Sequence, residues 1–303
     1  MHHSLAGLIL GGMLAIPATE ASAQRADTLP SRIVSANRSL EASELDAVKA
    51  FAATWGGRLA DGAPSEVNQA RSELISVARS PSATPIFLRA YGDAVIAEIQ
   101  PVIAGSDTFR AINAMQAVRF LRTPDAVSLI LDHADPDRET DASKRLVAAG
   151  LLASAITDAE LNPAQLDGTT RRIASVAAAE SEWMILLQSM EALDSIARLP
   201  NAPAASVALA RRSQVSTLEG AISRMKGSPE LVEAVYRTLL ELRNQLVRMS
   251  ARERGEFARQ FGPVFASAEQ AARSGLETAP PPMRPTFEKT AQQAQVLANL
   301  TRN

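Results

Sequence analysis

The chain is 303 residues long and contains no cysteine, so packing rather than disulfide bonds must stabilise it. The missing thiols also exclude a cysteine nucleophile and thiolate metal sites. Its 31 basic and 33 acidic residues give a formal net charge of −2. A chain this close to neutral has no electrostatic reason to favour nucleic acid or an anionic membrane surface.

The first 23 residues have the layout of a cleaved secretory signal. An apolar run, Leu5–Ile16, is followed by the helix-breaking Pro17 and a small-x-small end, Ala21-Ser22-Ala23. A helix that spans a bilayer needs about 20 apolar residues, and neither this run nor any later stretch is that long. We therefore expect export, cleavage near Ala23, a periplasmic or extracellular location and no integral membrane anchor.

The next segment, residues 24–38, is polar and predicts a flexible linker. From residue 39 onward apolar residues recur with a period near 3.6 and nowhere alternate strictly, which predicts an all-α fold. In the first helix, Val48 and Trp55 lie on the apolar face. Gly56-Gly57 predicts the end of that helix, because glycine readily adopts the left-handed conformation that closes helices.

Four prolines, Pro85, Pro124, Pro163 and Pro203, mark a repeating unit. Successive members lie 39, 39 and 40 positions apart. Proline suits the first turn of a helix, where its missing N–H would have no partner anyway. Each proline therefore predicts the start of the second helix in a two-helix unit.

A two-helix unit that recurs about every 40 residues is the sequence signature of an α-solenoid. Residues 66–226 resemble the HEAT repeat family through FLRTPDAVSLIL, from Phe120 to Leu131, and through the weaker copies VARSPSATPIFLRAY, AITDAELNPAQLDG and IARLPNAPAASVAL. The resemblance implies a curved stack of helix pairs that usually binds other proteins and has no inherent catalysis. The expected fold is an all-α, HEAT-like solenoid of about four helix pairs within residues 39–226.

Beyond Gly227 the pattern changes to a heptad-like seam. The apolar residues step by three and four positions. They are Leu231, Val235, Leu239, Leu242, Leu246 and Met249. We interpret residues 228–303 as an antiparallel helical subdomain that covers the end of the stack. The alternative is self-association through residues 229–249.

Two arginine pairs, Arg171-Arg172 and Arg211-Arg212, are the candidate binding residues. They lie 40 positions apart, and each pair begins eight residues after its proline. Equivalent positions in stacked repeats fall on one face, so the four residues predict a basic stripe that binds carboxylates or phosphates of a partner or ligand. The alternative is an exposed arginine-rich face that pairs with nearby acids.

The acidic segment LDHADPDRETD, residues 131–141, offers oxygen ligands and His133 to a cation. It lacks the turn glycine and the spaced bidentate glutamate of a calcium loop, so helix capping explains its acids better. His133 is the only histidine after the first 23 residues, which excludes a histidine-based triad or a multi-histidine zinc site within one subunit. We therefore expect no metal site, no cofactor and no catalytic activity.

The sequence thus predicts an exported, non-catalytic helical-repeat protein that acts as a protein–protein interaction scaffold in the cell envelope. Its protein partner is unknown. The alternative is a periplasmic binding protein for a small anionic or peptidic ligand in the groove of the stack.

Overall fold

The structure is a computed structural model that describes residues 27–302, and its regular structure is entirely helical over that range. The all-α prediction is therefore confirmed. The predicted signal, residues 1–23, lies outside the described residues. No helix between residues 27 and 302 combines the length and apolar character needed to cross a membrane.

Thirteen α-helices and one short 3₁₀ turn make up the regular structure of the described range. They are α1 (Ser31–Val34), α2 (Ala42–Asp61), α3 (Pro64–Ala78), α4 (Pro85–Ala104), α5 (Thr108–Val118), α6 (Pro124–Ala134), α7 (Ala142–Asp158), α8 (Pro163–Ala179), α9 (Trp183–Ala197), α10 (Ala204–Arg224), α11 (Leu231–Arg248), α12 (Ala251–Leu276) and α13 (Arg284–Arg302), with the 3₁₀ turn Pro281–Met283 before α13.

The repeat prolines begin helices, as their spacing predicts. Pro85, Pro124 and Pro163 are the first residues of α4, α6 and α8. Each follows a residue whose side-chain oxygen accepts a backbone N–H of the first turn: Thr84, Thr123 and Asn162. Pro203 differs by one position, since it is the N-cap of α10. Proline and capping act locally, which is why the sequence alone locates these starts.

The helices stack in two rows. From α2 to α13, helices two apart in the chain contact each other. One row therefore contains α3, α5, α7, α9, α11 and α13, and the other contains α2, α4, α6, α8, α10 and α12. Most helices also contact the next one along the chain, which joins the two rows across a shared apolar interior.

The predicted flexible linker, residues 24–38, is wrong for its described part. This segment contains α1, and Ile33 and Val34 are buried. The backbone N–H of Thr84 donates to the carbonyl of Val34 at 3.2 Å, and the Thr84 hydroxyl donates to that of Ala36 at 2.6 Å. The segment is polar in composition, yet Ile33, Val34 and Ala36 are buried, and two of its backbone carbonyls attach it to the start of α4.

The predicted end of the first helix at Gly56-Gly57 is also wrong, because α2 continues to Asp61. Gly56 is buried, and a Cβ atom added to it would lie 2.8 Å from the Cβ of Glu98 in α4. Gly57 faces open space. The glycine at position 56 therefore permits close packing of α2 on α4, and this packing outweighs the low helix propensity of glycine.

Two clusters of buried apolar side chains form the interior, and they meet in α9. Ile185 belongs to the first cluster and its neighbour Leu186 to the second. The second cluster also takes in Met190 and Leu218, which precede the predicted subdomain boundary. Residues 228–303 therefore do not have a core of their own, and the boundary near residue 226 is not a break in packing.

The heptad-like seam of α11 lies inside this second cluster. Its first five leucine and valine residues are each at most 3% exposed: Leu231, Val235, Leu239, Leu242 and Leu246. They pack within the chain, where α11 contacts α9, α10, α12 and α13. The seam residues are therefore buried within one chain, and self-association through residues 229–249 stays a prediction.

Candidate functional site

A cleft of about 490 Å³ opens between α9, α10 and α11. This volume falls within the range of about 300–1,000 Å³ that is typical of small-ligand sites. On α9, Leu187, Glu191, Asp194 and Arg198 follow one another at steps of four, three and four residues, which places them on one face of the helix. The facing side of α11 completes the cleft.

The floor of the cleft contains a compensated buried carboxylate. Asp194 is 3% exposed and is paired with two arginines. Arg211 Nη1 lies 3.0 Å from its Oδ1, and Arg198 Nη2 lies 2.7 Å from its Oδ2. Arg211 also donates to the side-chain oxygens of Gln214 at 3.0 Å and Gln245 at 3.5 Å. These contacts offset the cost of burying the charges of Asp194 and Arg211.

Gln245 lines the same cleft, and its side-chain amide nitrogen is buried without a hydrogen-bond partner among residues 27–302. The residue is 9% exposed, and its Nε2 has no hydrogen-bond partner among the described residues. Its Oε1 accepts from Arg211, and a flipped amide would place two donors against each other, so Nε2 must point away from Arg211. A buried N–H without a partner costs about 1–3 kcal/mol, and Nε2 has less than 1 Å² of accessible surface, so this cost is carried beneath the wall of the cleft.

Two carboxylates line the cleft from opposite helices, Glu191 on α9 and Glu241 on α11. Glu191 is exposed as a residue, yet crowding within the cleft partly desolvates its carboxylate. This desolvation is the main reason why the pKa of Glu191 is raised; a hydrogen bond from Gln188 opposes the shift, and the charges of Glu241 and Asp194 add to it. The rim of the cleft therefore carries two carboxylates beside the exposed Arg198 and Arg237.

The structure divides the four predicted arginines into paired and exposed members. Arg172 Nη2 lies 2.5 Å from Asp132, and Arg211 is held in the cleft floor. Arg171 and Arg212 are exposed. The four therefore do not form one continuous row of free charges, because two of them pair with acids within the chain. Partner binding through Arg171 and Arg212 stays a prediction.

The acidic segment, residues 131–141, is occupied by contacts within the chain. Asp141 caps α7 by accepting the backbone N–H of Ser143 at 2.8 Å. Glu139 lies 3.1 Å from His133 Nδ1 and 3.6 Å from Lys144 Nζ. Burial alone would raise the pKa of Glu139, but the Asp141 N–H, His133 and Lys144 together lower it. Within residues 27–302, no group of three or more histidine and acidic side chains is arranged to hold a metal ion.

A row of basic side chains that the sequence analysis did not identify closes the ends of several helices. Each donates to carbonyl groups at the C-terminal end of an earlier helix, where a cation is favourable. At the end of α2, Arg110 donates to the carbonyls of Ala60 and Gly62. At the end of α4, Lys144 donates to those of Ile103 and Gly105. At the end of α8, Arg224 donates to those of Ala177 and Glu180. The partners lie 39 to 50 residues apart in sequence, so no local pattern reveals them.

The fold and the cleft together define an all-α protein with a ligand-sized cleft between three of its helices. No protein-family model matches the chain, and no curated protein matches it. Among solved structures, the chain is similar to the crystal structure of an engineered protein, with 12% sequence identity and a TM-score of 0.42 over 82% of this chain and 97% of that one. A likeness this weak assigns neither a family nor a function.

Proposed function

We propose that this protein is an exported, non-catalytic helical-repeat protein that acts as a protein–protein interaction scaffold in the cell envelope. The observation that best supports the proposal is the contact between helices two apart along the whole of α2 to α13. In helical-repeat families, the HEAT family included, such stacking builds an extended surface suited to binding other proteins. Export rests on the signal-like pattern of residues 1–23.

The test is crosslinking in cells of the tagged mature protein in the envelope fraction, with a photo-reactive residue at position 171 or 212. A partner that is captured reproducibly at both exposed positions would support the proposal. To compare variants, the photo-reactive residue is moved to the exposed position 175 or 216, one helical turn after each arginine. In Arg171→Glu with Arg212→Glu, capture from there should fall at least about tenfold, because two contacts with charged groups are lost.

The matched control is Arg254→Glu with Arg259→Glu, two exposed arginines of α12. It makes the same change in charge on another part of the surface and should leave capture unchanged. A chain that crosslinks only to itself would contradict the scaffold function. Equal loss of capture in both double variants would contradict the role of Arg171 and Arg212.

A second candidate function is a periplasmic binding protein for a small or peptidic ligand, and the cleft between α9, α10 and α11 supports it. An anionic ligand fits this cleft poorly, because Arg211 already pairs with Asp194 and the rim carries Glu191 and Glu241. Thermal-shift screening tests it, since a ligand at 100 times its Kd adds about 2.7 kcal/mol of stability. Cationic compounds should raise the melting temperature and their carboxylate analogues should not.

A further inference from the structure

Two of the residues that cap the repeat helices, Thr84 and Thr123, have nearly the same geometry. Their backbone angles are φ −85° and ψ 157° at Thr84, and φ −107° and ψ 153° at Thr123. Each hydroxyl oxygen accepts the backbone N–H of the residue three positions on, at 3.2 Å in both cases. A hydroxyl that accepts such a bond keeps its own hydrogen as a donor. The backbone N–H and the hydroxyl hydrogen are therefore oriented alike in the two threonines.

At Thr84 both of these donors hold a segment of backbone. The N–H donates to the carbonyl of Val34 at 3.2 Å, and the hydroxyl donates to the carbonyl of Ala36 at 2.6 Å. Ile33, Val34 and Ala36 are buried beside these bonds. Thr84 thus shows which occupant this arrangement of donors takes: a chain segment with two carbonyls two positions apart and apolar side chains next to them.

At Thr123 the same two donors are unused. Among residues 27–302, neither the backbone N–H nor the hydroxyl of Thr123 donates to an acceptor. The residue is 7% exposed, so it has little contact with solvent, and an acceptor from another chain would offset the cost of burying the two donors. The third cap, Asn162, differs, because its backbone N–H donates to the side-chain oxygen of Gln165 at 2.9 Å.

Thr123 lines a cavity of about 630 Å³ between the starts of α4, α6 and α8. Its methyl group packs on α4, since a Cβ atom added to Gly92 would lie 2.8 Å from its Cγ2. Leu88 and Pro124 also line the cavity and offer apolar surface to a bound segment. The charged side chains of the lining carry both signs: Arg89, Arg122, Asp93, Asp125, Asp158 and Glu160. Charge therefore selects neither a cation nor an anion here, and the unused backbone and hydroxyl donors define the occupant.

We propose that the cavity at the start of α6 binds a segment of a protein partner by its backbone, in the way that Thr84 binds residues 34–36. One carbonyl of the partner accepts from the N–H of Thr123, and the carbonyl two residues on accepts from its hydroxyl. Apolar side chains beside these carbonyls pack on Leu88 and Pro124. This inference rests on the proposed scaffold function and specifies the surface and the kind of segment that it recognises.

The test adds the blocked peptide Ser-Arg-Ile-Val-Ser-Ala-Asn, which copies residues 31–37, to the full mature chain labelled with ¹⁵N. A new hydrogen bond deshields an amide proton, so the Thr123 amide signal should move downfield. The matched internal control is the Thr84 amide, which already has its acceptor within the chain and should not move. A Gly-Ser peptide of equal length has carbonyls but no apolar side chains, and it should bind at least about tenfold more weakly.

Thr123→Val removes the hydroxyl and should weaken binding of the peptide about threefold to tenfold, because one hydrogen bond is lost. Thr123→Ser keeps both donors and should bind like the native chain. The control is Thr157→Val, which alters an exposed threonine of α7 outside the cavity lining and should leave binding unchanged. Three results would each overturn the inference: a Thr123 amide that does not move in the native chain, an equal shift at Thr84, or native affinity in Thr123→Val.

Two further outcomes separate this inference from its alternatives. A Thr123 shift that grows with chain concentration without peptide, together with a rise in mass, would identify a second copy of the chain as the occupant and overturn the partner proposal. In the envelope crosslinking, a photo-reactive residue at the exposed position 89 samples the cavity. A partner captured from position 175 or 216 but not from position 89, and equally by Thr123→Val, would uphold the scaffold function and refute this cavity as its binding site.

Discussion

Replacing Arg145 with methionine removes the partner of a buried carboxylate. Glu180 is 1% exposed, and Arg145 Nε donates to its Oε2 at 3.0 Å. Removing one member of a buried ion pair costs about 3–5 kcal/mol, because the other charge is left uncompensated. The second oxygen of Glu180 accepts the backbone N–H groups of Ser181 and Glu182 at 2.8 and 2.9 Å. Since these two donors remain, we expect a loss near the lower limit, about 3 kcal/mol.

Thermal unfolding followed by circular dichroism measures this loss, which should lower the melting temperature by about 6 °C or more. The control is Arg138→Met, because the Arg138 side chain is 59% exposed and its ion pair with Asp132 should contribute less than about 1 kcal/mol. Arg145→Met with Glu180→Gln removes both charges but keeps an oxygen that can accept from Ser181 and Glu182, so it should recover most of the loss. The reasoning is refuted if Arg145→Met is as mild as Arg138→Met, or if the double variant is less stable than Arg145→Met alone.

Three further changes test other parts of the structure. The pKa of Glu139 is lower in the folded protein than in the unfolded chain, so its ionised form stabilises the fold above about pH 4.5. This stability is lost as the pH falls through the folded pKa. Between pH 5 and 3 the melting temperature of Glu139→Gln should therefore fall less than that of the native chain. Gly57→Ala should raise the free energy of unfolding by up to about 1 kcal/mol, whereas Gly56→Ala should lower it because the new Cβ meets α4; similar effects at the two positions would argue against close packing there. Leu239→Ala should cost about 2–5 kcal/mol without changing the mass measured by light scattering, and a change in oligomeric state would contradict a seam buried within one chain.

The sequence predicts those parts of the fold that depend on neighbouring residues. Pro85, Pro124 and Pro163 locate helix starts correctly because a missing N–H and a preceding cap suffice to begin a helix. The predicted helix end at Gly56 is wrong for the opposite reason. Its role depends on Glu98 of α4, 42 positions away in the sequence, and a local propensity does not register such a contact.

The candidate site was only partly predictable for the same physical reason. The spacing of the arginine pairs singled out Arg211, which the structure places beneath the cleft in contact with Asp194. The acids that neutralise Arg172 and Arg211 are 40 and 17 residues away; the first separation equals one repeat, whereas the second does not follow from the repeat. Spacing therefore indicated where charge accumulates, whereas the net sign of the charge at the cleft required the three-dimensional pairing.

The sequence does not indicate the two rim carboxylates, because no spacing or motif sets Glu191 and Glu241 apart from other acids. Each sits in an amphipathic helix rich in polar residues, where one exposed carboxylate resembles any other. Two tertiary properties distinguish them. The helices α9 and α11 lie close together, and among residues 27–302 neither carboxylate forms an ion pair with an arginine or lysine.

The position of α9 between the two apolar clusters has a consequence for inheritance. A gene truncated near residue 226 would encode a chain in which Met190, Leu218 and Leu186 lose the helices that cover them. An apolar surface of this kind favours aggregation. The C-terminal helices are therefore expected not to behave as an independent cassette. A substitution on one side of α9 should be tolerated only if it fits the side chains on the other side.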